Sequence, residues 1–233
     1  MLIKKAAVIV AGGKGLRMQA GIPKQFIEIA GMPVLMHTIS NFYRFDNAMH
    51  LVLVLPEAHF RFWNELCEKF EFKIKHTIVA GGENRFHSVL NGLQQVSDAS
   101  LVAIHDGVRP LVSHDAIARC FDAALREGAA IPVTECVESI RCVNDGSSNA
   151  VDRSKFRLVQ TPQVFEKDLL FKAYQQPFSP LFTDDASVVE SYFASQCELA
   201  DRQIALVEGN RENIKITTRF DLIVAEAILG NEH

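Results

Sequence analysis

Short apolar and β-branched runs recur along the chain, at 6–10 (AAVIV), 51–55 (LVLVL), 74–79 (IKHTIV), 101–105 (LVAIH) and 129–133 (AAIPV). Amphipathic stretches with helical spacing separate them, at about 33–45, 57–69, 85–96 and 115–127. A strand that is apolar along its whole length must be buried on both faces, as happens in parallel sheets with helices on either side. The alternation therefore specifies an α/β fold with a Rossmann-like, doubly wound, mostly parallel sheet. Pro33 suits the first turn of its helix, where its missing N–H is not needed.

The alternation breaks after Val133. Residues 134–160 carry no helical period, and the turn-forming run Asn144-Asp145-Gly146-Ser147-Ser148-Asn149 lies between β-prone stretches at 137–143 and 156–160. This reads as a protruding β-hairpin arm. Helices resume at about 167–175 and 184–194, strands follow at 204–208 and 214–217, and a last helix covers about 219–229. Thr218 and Asp221 have the spacing of a cap and its N3 acid.

Bulk composition bounds the function. The 233 residues, 48% of them hydrophobic, suffice for one substantial core, so the whole of 1–233 is expected to form a single domain. A net charge of −4 gives no global electrostatic footprint for nucleic acid, so a site for an anion needs local cations. The five cysteines form no C-x-x-C pair, which reads as reduced thiols of a cytoplasmic protein. The apolar run after MLIKK is too short for a signal peptide, and no stretch approaches the roughly 20 residues of a membrane span.

Residues 6–18 read AAVIVAGGKGLRM, a buried strand running into a glycine-rich loop. Glycines let backbone N–H groups close around phosphate oxygens. Lys14, Arg17 and the nearby Lys24 of Pro23-Lys24-Gln25-Phe26 supply charge, and clustered like charges repel unless an anion joins them. The loop is no Walker A motif, because Gly15 follows Lys14, and no dinucleotide fingerprint, because Met18 replaces the last glycine. A second glycine turn, AGGENRFHS at 80–88, reads in isolation as an ordinary strand-to-helix turn. In LVAIHDGVRP at 101–110, Asp106 and Arg109 lie just beyond a strand, where a carboxylate can hold Mg²⁺ or a sugar hydroxyl. His105 reads as a packed histidine and Asp184-Asp185 as helix N-terminal acids.

The ordered set AGGKGLRM, PKQF, GGENRFHSVLNGL, HDGVRP, VDRSKFRLVQTPQVF, FTDDAS and EGNRENIKIT resembles the 2-C-methyl-D-erythritol 4-phosphate cytidylyltransferases of the non-mevalonate isoprenoid pathway, essentially end to end. The resemblance implies transfer of CMP from CTP to a phosphorylated sugar alcohol, with Mg²⁺ bound alongside CTP. It implies that Arg17 and Lys24 stabilise the transition state. Ala11, Gly12 and Gly13 would contact triphosphate or base, and Gly82, Glu83 and Ser88 the cytosine and ribose side. Asp106 would face nucleotide, substrate or the metal; Arg109, Thr161 and Thr183 would lie near the acceptor; Arg153 and Lys215 would position its phosphate. It also implies a homodimer interlocked through the 134–160 arm.

The chain departs from the family pattern in reading Val-Ala-Gly-Gly at the first loop, Glu83 for the usual Asp, and Asp-Gly-Val-Arg for Asp-Ala-Ala-Arg. Some relatives carry a fused cyclodiphosphate synthase; with the sequence stopping at His233, that activity is expected to be absent. Two rivals remain. Ribitol 5-phosphate cytidylyltransferase would share the nucleotide half and differ on the acceptor side. A non-catalytic CTP sensor would need neither Arg153 nor Lys215. A nicotinamide-dependent reductase is disfavoured by the broken fingerprint.

Overall fold

The computed structural model describes residues 3–12 and 22–230. The elements run β1 (Lys5–Val10), β2 (Glu28–Ile29), β3 (Met32–Pro33), α1 (Val34–Phe45), β4 (His50–Leu55), α2 (Phe60–Lys69), β5 (Thr77–Ala80), α3 (Arg85–Leu93) and β6 (Leu101–Asp106). Then follow α4 (His114–Glu127), β7 (Ala129–Glu135), β8 (Arg141–Asn144), β9 (Ser147–Ala150), β10 (Arg157–Val159), β11 (Gln163–Glu166), α5 (Lys167–Ala173), α6 (Asp185–Ser195), β12 (Ala205–Glu208) and α7 (Arg219–Gly230).

The central sheet is mixed and mostly parallel. β5, β4, β1 and β6 pair in parallel, β11 lies antiparallel between β6 and β7, and β12 pairs in parallel with β7. β10 and β11 run along one edge of β7: Val133 pairs with Val159 and with Glu208, Ala130 with Val164 and with Ala205. Because the chain moves from β1 outward to β4 and β5, then returns to β6 on the other side, the carboxyl ends of β1 and β6 flank a topological switch point, the usual ligand crevice of open α/β sheets.

Strand alternation produces two cores. Ala7 and Ile9 of β1 and Leu51, Leu53 and Leu55 of β4 pack under α1, α2 and α4. Ala6, Val8, Val52 and Val54 face the opposite way, under α3, α5 and α6. The apolar runs are thus buried on both faces, as their composition requires. A smaller cluster joins Val108 and Leu111 to Ile216 and to Ala225 and Leu229 of α7. Local caps define the helix starts: Asn84 accepts from His87 N–H and Ser113 from Ala116 N–H, while Asp184 and Ser187 form a reciprocal capping box. The expected Thr218–Asp221 cap forms, with Asp221 Oδ2 accepting from the N–H groups of Thr217 and Thr218.

Several boundaries differ from the sequence reading. Pro33 sits one residue outside α1, as its N-cap, because it still pairs in the β2–β3 ribbon. Residues 57–59 form a 3₁₀ turn before α2. Residues 214–217 are not a strand; the segment is held by Ile216 N–H donating to the carbonyl of Val108, a loop residue. β11 is an element that the sequence pattern does not mark, yet it is almost wholly buried between two strands. In the arm only β8 and β9 form the hairpin, around Asp145 (φ 38°) and Gly146 (φ 84°), the double positive-φ turn that Asp-Gly favours. The 134–135 and 157–159 ends of the arm belong to the main sheet.

Candidate active site at the carboxyl edge of the sheet

The parallel strands deliver their loops to one rim. Ala11 N–H donates to the Val54 carbonyl (2.9 Å), Gly81 N–H to Leu55 (2.8 Å) and Gly107 N–H to Val10 (2.9 Å), so the loops after β1, β5 and β6 are stitched to neighbouring strand ends. Ser88, at the start of α3, accepts from Gly82 N–H (3.0 Å) and donates to the Asn84 carbonyl (2.8 Å). A Cβ on Gly12 would stand 3.6 Å from Ser88 Oγ, which places the two glycine turns against each other. Gly82 has no room for one: it would meet His87 Cβ at 2.4 Å. Glu83 is exposed beside it. Gln25 donates to the Ala11 carbonyl (3.0 Å), anchoring the 3₁₀ turn that carries Lys24 to the same rim. Gly13 and Arg17 lie outside the described residues.

Asp106 ends β6 and gathers cations from three parts of the chain. Lys215 Nζ lies 2.9 Å from its Oδ2, Arg109 Nε 3.4 Å from the same oxygen, and Arg85 Nε 3.8 Å from Oδ1. Burial disfavours the ionised carboxylate, but the charges of Arg85, Lys215 and Arg109 outweigh it and hold Asp106 well below the usual carboxylate range. Arg85 is itself fixed by a bidentate bond to Asp185 (2.9 and 2.6 Å), which also accepts from the Tyr174 hydroxyl (2.6 Å). These three cations face two carboxylates. The surplus positive charge, on a chain whose net charge is −4, suits a polyanionic ligand.

Of the acceptor-side candidates, Thr161 joins Arg109 and Lys215 at Asp106, whereas Thr183 and Arg153 do not. Thr161 Oγ1 accepts from Asp106 N–H (3.1 Å) and meets His105 Nδ1 at 3.0 Å, while His105 Nε2 lies 3.0 Å from the Arg109 carbonyl. The carbonyl can only accept, so Nε2 carries the proton and the threonine hydroxyl donates to Nδ1. His105 is fully buried against Phe42, and burial pushes its pKa down to about 4. Neutral and engaged at both nitrogens, it is a packed histidine, as its sequence context implied. Thr183 is exposed just before α6, with its N–H on Ser187 Oγ (3.1 Å). Gln163 of β11 ties that helix start to the sheet, donating to Asp184 (2.8 Å) and accepting from Ala186 N–H (2.9 Å). Arg153 stands apart, exposed on the arm with its guanidinium on the Val137 carbonyl.

Sequence reasoning missed two supports of this site. Asp185, read as a helix N-terminal acid, is completely buried as the partner of Arg85. Asn213, given no role, is buried between Thr161 and Arg109. Each lies inside a polar motif, FTDDAS or EGNRENIKIT, but only burial separates it from its solvated neighbours. Among the described residues no group of three or more His, Cys, Asp or Glu side chains is placed to hold a metal ion, and no helix is long and apolar enough to cross a membrane.

Known proteins match this chain over nearly its whole length. Residues 5–231 match the family model for IspD, 2-C-methyl-D-erythritol 4-phosphate cytidylyltransferase. The enzyme of that name from Bacteroides fragilis is 56% identical over 97% of this chain and 99% of its own length. The crystal structure of 4-diphosphocytidyl-2C-methyl-D-erythritol synthase from Anaerococcus prevotii superposes with a TM-score of 0.81 at 28% identity, covering 98% of this chain and 96% of that one. That of 2-C-methyl-D-erythritol 4-phosphate cytidylyltransferase from Thermus thermophilus gives 0.75 at 29%, covering 97% and 98%. With its motifs in family order and its charged cluster at the sheet's switch point, this chain belongs to the 2-C-methyl-D-erythritol 4-phosphate cytidylyltransferase family.

Proposed function

We infer that the protein transfers CMP from CTP to 2-C-methyl-D-erythritol 4-phosphate, releasing pyrophosphate, as a nucleotidyltransferase of isoprenoid precursor biosynthesis. The carrying observation is the convergence of Arg85, Arg109 and Lys215 on Asp106, beside Thr161 and next to two facing glycine turns. In this reading the glycine turns, with Ala11, Gly12, Gly82, Glu83 and Ser88, hold the nucleotide, joined by Gly13 and Arg17. Arg109, Lys215, Thr161 and Thr183 hold the acceptor.

The acceptor's phosphate oxygen attacks the α-phosphorus of CTP, and pyrophosphate leaves from the opposite side. A phosphate monoester is already nucleophilic near neutral pH, so no general base is needed, and buried His105 supplies none. The obstacle is repulsion between two polyanions. Preorganised cations remove it: Lys215 and Arg109 draw in the acceptor phosphate, while Lys24 and Arg17 neutralise charge developing on the triphosphate. Mg²⁺ belongs to this proposal as an ion carried by the nucleotide phosphates; Asp106 is the candidate carboxylate that would hold it, and would have to exchange part of its pairing with Lys215, Arg109 and Arg85 to do so. When bound it would add charge neutralisation at the leaving group.

The homodimer is likewise a proposal. It is supported by the exposed apolar side chains Val137, Val143, Phe156, Leu158 and Val159 along the arm and its return strand. A cytoplasmic location agrees with five unpaired cysteines.

The deciding experiment measures pyrophosphate release with CTP and Mg²⁺, offering 2-C-methyl-D-erythritol 4-phosphate or ribitol 5-phosphate. Strong preference for the first is expected. Preference for the second would overturn the acceptor assignment and leave the nucleotide site standing. CTP binding with no release from either acceptor would overturn the catalytic reading.

A further inference from the structure

Asn213 precedes Lys215 by two residues and is completely buried. Its backbone carbonyl accepts from Arg109 Nη1 at 2.7 Å. Its side-chain amide donates to the Thr161 carbonyl at 2.8 Å and to Gln160 Oε1 at 3.3 Å. Gln160 returns the contact, with Nε2 donating to the carbonyls of Asn210 (2.8 Å) and Asn213 (3.4 Å). Both partners of the side-chain amide are carbonyl-type acceptors, which fixes its orientation: Nδ2 must face Thr161 and Gln160. The other amide atom, Oδ1, is then left buried with no hydrogen-bond partner among the described residues. An unpaired buried acceptor is a cost that native structures rarely carry without a reason.

We propose that Asn213 is a positioning residue for the acceptor half of the site, holding Arg109 and Thr161 in register with Lys215. The inference rests on the acceptor being bound by those three residues, as in the functional reading above. The geometry has a simple logic. Arg109 and Thr161 come from segments that follow β6 and β10, and Lys215 from a stretch with no strand of its own. A single buried residue touching the first two, and covalently two residues from the third, sets their mutual spacing. Among the described residues, no hydrogen bond joins Gly12 or Gly82 to this latch. Loosening it therefore separates the acceptor from the nucleotide in its effects. The unpaired Oδ1 fits the same role, since the orientation that leaves it unpaired is the one that lets Nδ2 reach both Thr161 and Gln160.

The test compares KM for the acceptor and KM for CTP in Asn213→Leu, which keeps the branched heavy-atom shape and removes both donors and the unpaired acceptor. The expected result is a rise in acceptor KM on the order of tenfold, with CTP KM changed by less than about threefold. A purely structural residue would raise both together or lower the unfolding midpoint with neither selectively affected, and either result would overturn the proposal. Gln160→Met cuts the same latch from the other side without touching Asn213, and the same selective rise is expected from it. On a Gln160→Met background, which already lacks the amide pairing with Asn213, Asn213→Leu should have less effect than it has alone; full additivity would sink the coupling. Wild-type protein that releases no pyrophosphate with either acceptor would instead overturn the functional reading, and this inference with it.

Discussion

At the scale of single residues, burial turns ordinary side chains into a defined electrostatic device. Asp106 would be a routine surface carboxylate were it not enclosed by Arg85, Arg109 and Lys215. His105 shows the complementary effect. Burial is the main cause that lowers its pKa to about 4; the charges of Arg109 and Lys215 push the same way, while its hydrogen bond to Arg109 and the charge of Asp106 oppose. An unfolded histidine titrates near 6.5, so between about 6.5 and about 4 the unfolded chain binds a proton that the folded chain refuses. Stability therefore falls as pH falls through that window and is unaffected by this group above it. By about pH 4.5 the loss from His105 should reach about 2–3 kcal/mol. Urea unfolding followed from about pH 7 to about pH 4.5 should show a decline that is shallower in His105→Gln; equal slopes would exclude the assignment. The charged members Asp106, Arg109 and Lys215 were readable as candidates because they follow apolar strands or sit in family motifs. Asp185 was not, because nothing in the sequence distinguishes a buried helix N-terminal acid from a solvated one.

At the scale of elements, helix packing fixes where the nucleotide turn can sit. α3 carries Ser88 at its start and crosses β1 and β4 at Gly92, where a Cβ would meet Val8 Cγ1 at 2.5 Å and Val54 Cγ2 at 2.8 Å. Gly92→Ala should overpack this contact and lower stability by about 1–3 kcal/mol, readable as a shifted denaturant midpoint. Because the displaced helix also positions Ser88 and Gly82, CTP affinity should weaken in the same variant. An unchanged midpoint would show that the helix shifts without strain. The helices and the buried strands β1, β4, β6 and β7 were legible, since their periodicities are strong. β11 was missed because the β-prone stretch before it was read as ending with the arm at 160, and no alternation marks QVFE. The segment 214–217 was over-read for the opposite reason: β-propensity describes fit to a pleated surface, and no neighbouring strand offers it one.

At the scale of the whole molecule, the proposed homodimer would give the arm a part in the site. β8 and β9 extend from β7 and β10 at the edge of the site, while Arg153 lies on the arm's returning side. If the arm of one protomer completes the site of its partner, mixing Lys24→Ala chains with Arg153→Ala chains should restore part of the activity. One site in each mixed dimer would then keep both wild-type residues. Rescue should be absent from either variant alone, each expected to lose on the order of 10²–10³ in turnover. No rescue on mixing would place Arg153 in its own protomer's site or outside catalysis.

The sequence alone determined that the central strands form a sheet covered on both sides, because runs apolar on both strand faces admit no other burial. Its motifs also named most of the charged residues of the site. Tertiary structure alone decided how they combine: that Lys215, distant in sequence from Asp106, closes on it to 2.9 Å, that Asp185 is buried to hold Arg85, and that Asn213 spans Thr161 and Arg109. Local propensity and spacing carry information over a few residues. These contacts join segments whose approach is set by the packing of the sheet and its two helical layers, and burial then gives each pair its strength.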